Sequence, residues 1–363
     1  MVLEELSKET LNFYAPRFVV EIGNKKLNAI MSKAIIDVTV EEIIDEGASF
    51  QLTLHDEFDL NTQKFKWLDH DLFNLGNSVT IKMGYENDLK IMVMGVITSL
   101  EPSFFSSETP TIRIRGQDPS FDYLKKSSPA RTFPDESYSE IAEKIARDAK
   151  LSSEVTDIES YRRPTQKDNN ENYLTFLNDL KDEVGYELKL REQTLYFIVP
   201  QDNLDEILTL ELGKDIISFR PAMNTAEVVT EVEVRGHNPD DPGNPIIGRA
   251  TAGSERSQES QRTSGSQIVE ERHSSVKRII TNVTVNSQEH ADSIARAALN
   301  RASDTFITGE LESIGIPQIR AGTSIKLEKM GARFSGKYYV TAASLTINDS
   351  GYRTSVTVKR NAL

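Results

Sequence analysis

Gly76-Asn77-Ser78-Val79-Thr80-Ile81-Lys82-Met83-Gly84 has a second version near the other end of the chain. That version is Gly322-Thr323-Ser324-Ile325-Lys326-Leu327-Glu328-Lys329-Met330-Gly331, one residue longer. Each is followed by a strand-like run, Met92 to Leu100 and Tyr338 to Ile347, then by a turn and an alternating strand. Those strands are Thr111-Ile112-Arg113-Ile114-Arg115 and Ser355-Val356-Thr357-Val358-Lys359. Upstream, Ile35-Ile36 leads to Phe50-x-Leu52-x-Leu54, and Ile216-Ile217 leads to Val228 and then Val232-x-Val234. Apolar residues at every second position put one strand face in the core and the other in water. Runs of this kind repeated in the same order predict a duplication, two similar β domains in one polypeptide.

Working outward, the pattern divides the chain into four parts. Residues 1–16 read as an acidic N-terminal arm with Leu3, Leu6 and Leu11 spaced for a short amphipathic segment. Residues 17–126 hold many short strands separated by turns, which predicts a first β-barrel. Over 127–203 the period changes. Tyr138, Ile141, Ala142, Ile145 and Ala149 fall at helical spacing behind a Ser137/Glu140 capping box. Tyr173, Leu174, Leu177, Leu180 and Val184 do the same ahead of Gly185, and two strands follow. This is an α+β middle domain. Residues 204–363 return to strands and predict a second β-barrel, interrupted by a flexible loop at 237–276. Gly253 to Ser266 has no large apolar residue, which predicts mobility unless a partner covers it. Ser287 caps a further helix, with Ala291, Ile294, Ala295, Ala298 and Leu299 on one face. The fold class is mainly β with an α+β insert.

Composition excludes several functions. The 363 residues carry a formal net charge of −14, which disfavours nucleic acid, whose phosphates reward clustered Lys and Arg. There is no cysteine, so no disulfide and no thiolate site; this fits assembly in a reducing cytoplasm. No apolar run approaches the ~20 residues of a membrane span. The first ten residues have no apolar core and do not read as a signal peptide.

No motif marks a catalytic, cofactor-binding or metal site. Among five histidines, none has metal-ligand spacing; Asp69-His70-Asp71 is the nearest cluster, and adjacent residues in extended chain point to opposite sides. His290 reads as a surface residue in the first turn of its helix. The single Trp67, with Phe65, Leu68 and Phe73, reads as core or interface. A peptidoglycan hydrolase would draw its carboxylates from Glu140, Glu143, Asp179 and Glu183. A β-sandwich glycan- or protein-binding module is a third reading. The positions that stand out are structural: Gly76 and Gly322 before strands, and Gly336, Tyr338, Gly351 and Tyr352 at turns and strand starts.

The C-terminal run Phe334-Ser335-Gly336-Lys337-Tyr338-Tyr339-Val340-Thr341 is followed by Ile347-Asn348-Asp349-Ser350-Gly351-Tyr352-Arg353-Thr354 and Val358-Lys359-Arg360-Asn361. It resembles the ending of the phage late control protein D family, which includes hub proteins of contractile tails and the hub part of VgrG spike proteins. The usual form is Gly-x-Tyr-x-Val-Thr, a spacer, Gly-Tyr-x-Thr and an Arg-rich end. Ser344-Leu345-Thr346 stands here where many relatives carry a His. Glu231-Val232-Glu233-Val234-Arg235-Gly236-His237-Asn238-Pro239 is similar to the strand that enters the family's second barrel. The resemblance implies a homotrimeric baseplate hub whose six barrels form a pseudo-six-fold ring. One face of that ring meets a hexameric inner tube protein and the other a spike. Other baseplate components are further partners, in a virion tail or an injection-system baseplate. The sequence stops after the second barrel, so the spike is expected to be a separate protein.

Overall fold

The computed structural model describes residues 15–363 apart from 127, 158–161, 163, 203, 238–242, 257, 260, 261, 274 and 286. All but the last two residues of the expected arm, and the turn-rich stretch at 238–242, lie outside the described residues.

Twelve strands form two sets. The first is β1 (Pro16–Ile22), β2 (Ile35–Ile43), β3 (Ala48–His55), β4 (Ser78–Tyr85), β5 (Asp88–Ser103) and β6 (Thr111–Gln117). The second is β7 (Leu208–Glu211), β8 (Ile216–Met223), β9 (Ile307–Ile314), β10 (Ser324–Glu328), β11 (Gly336–Asn348) and β12 (Gly351–Arg360). The first set pairs in the order β2-β3-β6-β5-β4-β1 and the second in the order β8-β9-β12-β11-β10-β7. Each strand therefore has a counterpart in the other set. The sets differ at one end, where β1 runs antiparallel to β4 but β7 runs parallel to β10.

The bulges repeat too. Registers slip between Ile35 and Asp37 in β2 and between Ile216 and Ser218 in β8. They slip again between Ile97 and Ser99 in β5 and between Val340 and Ala342 in β11. An extra residue bends a strand and raises its twist. Bulges at matching places curve both sets alike.

The two sets are not separate bodies. Ala342–Asn348 of β11 pairs antiparallel with residues 43–37 of β2, so both sets lie in one thirteen-stranded sheet. One apolar core runs through both, from Val20, Leu52 and Ile114 to Leu311, Leu345 and Val358.

The sequence alignment of the repeat needs one correction. The counterpart of β3 is β9, not the run through Val232 and Val234. Those valines belong to a separate three-stranded sheet, with Glu231–His237 between Ile246–Thr251 and Lys277–Thr284. Alternation marks any half-buried strand and carries no address. An α/β unit inserted after β8 displaces the true partner along the chain.

That unit also replaces much of the flexible loop expected at 237–276, which holds the strand Ile246–Thr251 and a helix at Gly265–His273. Within the stretch expected to be mobile, Glu255, Gln258, Ser264 and Ser266 are buried. Arg256 clamps Asp202 at 2.6 and 2.8 Å, Glu259 pairs with Arg360 at 3.1 Å, and Ser266 meets Ser303 at 2.9 Å. Counting apolar side chains alone misses this. Charge-assisted hydrogen bonds to distant residues offset the ordering entropy.

In the middle region, α1 (Tyr138–Asp148) and α2 (Tyr173–Val184) pack on a sheet of Ser152–Val155, Thr194–Ile198 and Glu187–Arg191 around their own core. Ser137 and Glu140 cap α1 reciprocally, and Gly185 ends α2 at φ +74°. Helix α3 (Gln288–Ser303) covers the small sheet. Its other side meets the middle region, where a Cβ on Gly185 would lie 2.8 Å from that of Ala297.

One ion pair ties the first set to the second. Arg320, between β9 and β10, bonds Glu42 of β2 with both Nε, at 2.8 Å, and Nη2. Its Nη2 also donates to the Met92 carbonyl of β5 at 3.0 Å. Glu42 is buried, so losing the guanidinium leaves its carboxylate only the longer pair with Arg191, at 3.6 Å. Arg320→Ala is expected to lower unfolding free energy by about 3–5 kcal/mol, measured by urea denaturation. A loss below about 1 kcal/mol, the scale of an exposed pair, would show that the pair is not structural.

Candidate functional site

The candidate functional surface is the face of the sheet that the core leaves free. Alternation exposes Arg113 and Arg115 on β6 while burying Ile112 and Ile114; on β12 it exposes Ser355 and Thr357 while burying Thr354, Val356 and Val358. Two shallow recesses lie on this face. One of about 310 Å³ is lined by Glu41, Arg220, Glu310, Glu312, Ser344 and Thr357. The other, of about 410 Å³, is lined by Thr39, Glu41, Ser49, Gln51, Thr98 and Arg115. Registers make Arg220, Glu310 and Thr357 the counterparts of Thr39, Gln51 and Arg115.

Charges on this face are mixed, and those around Arg115 are mutually bonded. Glu101 sits 3.3 Å from Arg115 and 3.7 Å from Arg113. Arg115 reaches Gln51 at 3.2 Å, and the hydroxyls of Thr39 and Thr346 meet at 2.9 Å where the sets join. Such a surface is polar and wettable.

The turn positions read from the sequence sit at the strand bends. The Gly76 N–H donates to the Ile97 carbonyl and the Gly322 N–H to the Val340 carbonyl, both at 2.8 Å. Their φ angles are +86° and +82°, and each closes its loop onto a bulge. Gly351, with Ser350, turns β11 into β12. The Tyr338 hydroxyl donates to the Phe334 carbonyl at 2.9 Å, and the Arg360 guanidinium stands 5.5 Å from its ring. Tyr352 packs tilted against Tyr85, with ring centres 5.5 Å apart, and burial pushes both hydroxyls up.

The other candidates are used locally. Asp69 accepts the Phe65 N–H at 2.7 Å, and His70 Nδ1 caps the turn at Leu72. No group of three metal-ligating side chains converges among the described residues. Trp67 is buried in the main core. Glu140 serves the capping box and pairs with Arg162 at 2.6 Å; the Ser137 N–H, then Arg162, hold its carboxyl low. Glu143 lies at a shallow recess beside Lys144 and Arg147. Burial raises the Asp179 carboxyl. Glu183 accepts the Tyr138 hydroxyl at 2.8 Å and faces His290 at 3.3 Å. His290 is 1% exposed, not on the surface, because α3 lies between its own sheet and the middle region. Helical spacing does not reveal that both sides of this helix are covered.

Two features escaped the sequence reading. Asp56 is buried and accepts the N–H groups of Glu57, Trp67 and Leu68 at 2.8, 2.9 and 3.1 Å, which fixes the loop after β3. Arg360 is fully buried, bonding the Ser335 carbonyl at 3.0 Å. Asp56 carries no mark in the sequence; Arg360 stands in the Arg-rich end of the C-terminal run, but only the fold shows that it is buried. Gly336 adjoins Arg360. Its φ is +146°, and an added Cβ would lie 2.7–2.8 Å from the guanidinium. Gly336→Ala is therefore expected to cost about 2–3 kcal/mol in chemical denaturation, and Gly351→Ala, in open space, less.

No helix of the described residues is long and apolar enough to cross a membrane. No curated protein matches the sequence. The fold is similar to that of the 43 kDa tail protein of prophage MuSo2 from Shewanella oneidensis, at 16% identity and TM-score 0.71, over 95% of this chain and 98% of that one. It is similar to that of the tail protein from Neisseria meningitidis MC58, at 13% identity and TM-score 0.70, over 96% and 97%. A component of the type VI secretion system of E. coli shares it at 13% identity and TM-score 0.58, over 90% and 74%. The chain belongs to the family described as the Alg8 N-terminal domain, whose sequence model matches residues 16–349.

Proposed function

We propose that this chain is the structural baseplate hub of a contractile tail or phage-derived injection system, akin to the late control protein D family. Three copies form a ring in which the strand sets of 17–126 and 204–363 act as six similar barrels. The ring adapts a hexameric inner tube to a trimeric spike, and other baseplate components surround it. The middle domain, 127–203, sits outside the bore, and the polar sheet face lines it. Assembly takes place in the bacterial cytoplasm. The turn glycines Gly76 and Gly322 keep the two sets alike. The reading assigns the chain no reaction.

The observation that carries this is the duplication itself. Two sets share strand order and two bulge positions, and are joined edge to edge in one sheet. A trimer of duplicated units offers six near-equivalent positions to a six-fold partner, which three unduplicated units cannot. The shared fold with two tail proteins and a secretion-system component adds support. Size-exclusion chromatography with light scattering, with and without tube protein, tests it. The expected result is a species of three chains that binds the tube ring, and a blank peptidoglycan zymogram. A chain that stays monomeric and leaves the tube ring unbound, or clears the zymogram, overturns the proposal.

A further inference from the structure

The junction inside the chain has a counterpart with nothing in it. On β11, residues after the Thr341 bulge run past the end of β10 and pair with β2. On β5, pairing with β4 ends at Val96, and Ser99–Ser103 continues with β6 on one side only. The counterpart of β2 is β8, which pairs with β9 and has no strand on its other side among the described residues. The first set thus has an open half-strand where the second has β2, and the second has an open strand where the first has β11.

Burial tells the same story residue by residue. Along β11 the core-facing Ala343, Leu345 and Ile347 are buried; their counterparts are Leu100, half-buried, and Pro102, exposed, on β5, and just past its end Phe104, exposed with its ring centre 5.0 Å from that of Phe65. Ile347 is 7% exposed and Phe104 is 57%. Along β2, Val38, Val40 and Glu42 are buried; their β8 counterparts Phe219 and Pro221 are half-buried and Met223 is 36% exposed. Both edges keep apolar residues at positions where the intact junction buries them.

We infer that these two edges are the halves of one seam between copies of this chain, in the register of the β11–β2 junction. That register sets Leu100 opposite Met223, Pro102 opposite Pro221 and Phe104 opposite Phe219. On the polar face it sets Ser103 opposite Arg220, with Glu101 one position along. Arg220 lies opposite Glu310 but makes no ion pair within its own chain among the described residues, and the seam adds Glu101, which also faces Arg113 and Arg115, to the same face. The prolines remove one N–H from each edge, which blunts indiscriminate strand addition and leaves recognition to these side-chain pairs. A surface that binds a different surface of the next copy makes either a closed ring or a filament. Closure at three rests on the hub reading.

The chain has no cysteine, so Ser103→Cys with Arg220→Cys is a clean probe. Residues opposite in an antiparallel pair lie about 4.5–5.5 Å apart at Cα, within the roughly 4.4–6.8 Å of a disulfide. Mild oxidation is expected to give a reducible band series ending at three chains. The out-of-register pair Ser103→Cys with Ile217→Cys should link at least ten-fold less. In the unmutated protein, hydrogen exchange at Ser99–Ser103 and Ser218–Met223 should slow on assembly. A three-chain species that neither links nor shows that protection overturns the seam and leaves the hub reading standing. A chain that stays monomeric with tube protein present overturns both.

Discussion

A strand longer than its neighbour has to find a second partner, because buried backbone N–H and C=O groups left unpaired are costly. β11 outruns β10, and the bulge at Thr341 lets it leave one partner and take another. β2 is that partner, and its seven pairs turn two six-stranded sets into one sheet. The common core, the placement of Arg320 against Glu42 and the continuous polar face all follow from this exchange.

Long-range polar contacts then fix what the sheet does not. Arg256 with Asp202, Glu259 with Arg360 and Arg320 with Glu42 each join segments far apart in sequence. Each pair is partly or wholly shielded from water, where an ion pair holds geometry strongly and its loss leaves a costly lone charge. In this way polar residues such as Glu255, Arg256 and Glu259 become part of the structure although they offer little apolar area. The same logic explains Asp56, whose carboxylate gathers three N–H groups and keeps the loop around Trp67 against the core.

The two sets have diverged mainly in their loops. Between β3 and β4 the first set carries Asp56, Trp67 and the ribbon of Phe58–Asp59 with Lys64–Phe65. The second set instead carries a whole α/β unit between β8 and β9. Both insertions leave strand order and the two shared bulges untouched, because loops tolerate length while a one-residue slip in a strand turns every side chain to the wrong face. A duplicated scaffold can thus stay nearly symmetric where symmetry is needed and differ elsewhere.

Much of this was legible in the chain alone. Period-two runs around Ile81, Ile114, Ile325 and Val358 named core-facing strands, and the Gly76 and Gly322 turns marked the repeat. Helical spacing and the Ser137–Glu140 box fixed α1. These signals are local, set by which side of a strand or helix meets water. What the tertiary structure alone decided was address and cover. It made β9 the partner of β8, buried His290 between two bodies, tied Arg256 and Glu259 to distant charges and, among the described residues, left β5 and β8 with an open side. Those depend on which distant surfaces meet, and alternation along a chain is identical whether the neighbouring strand is present or missing.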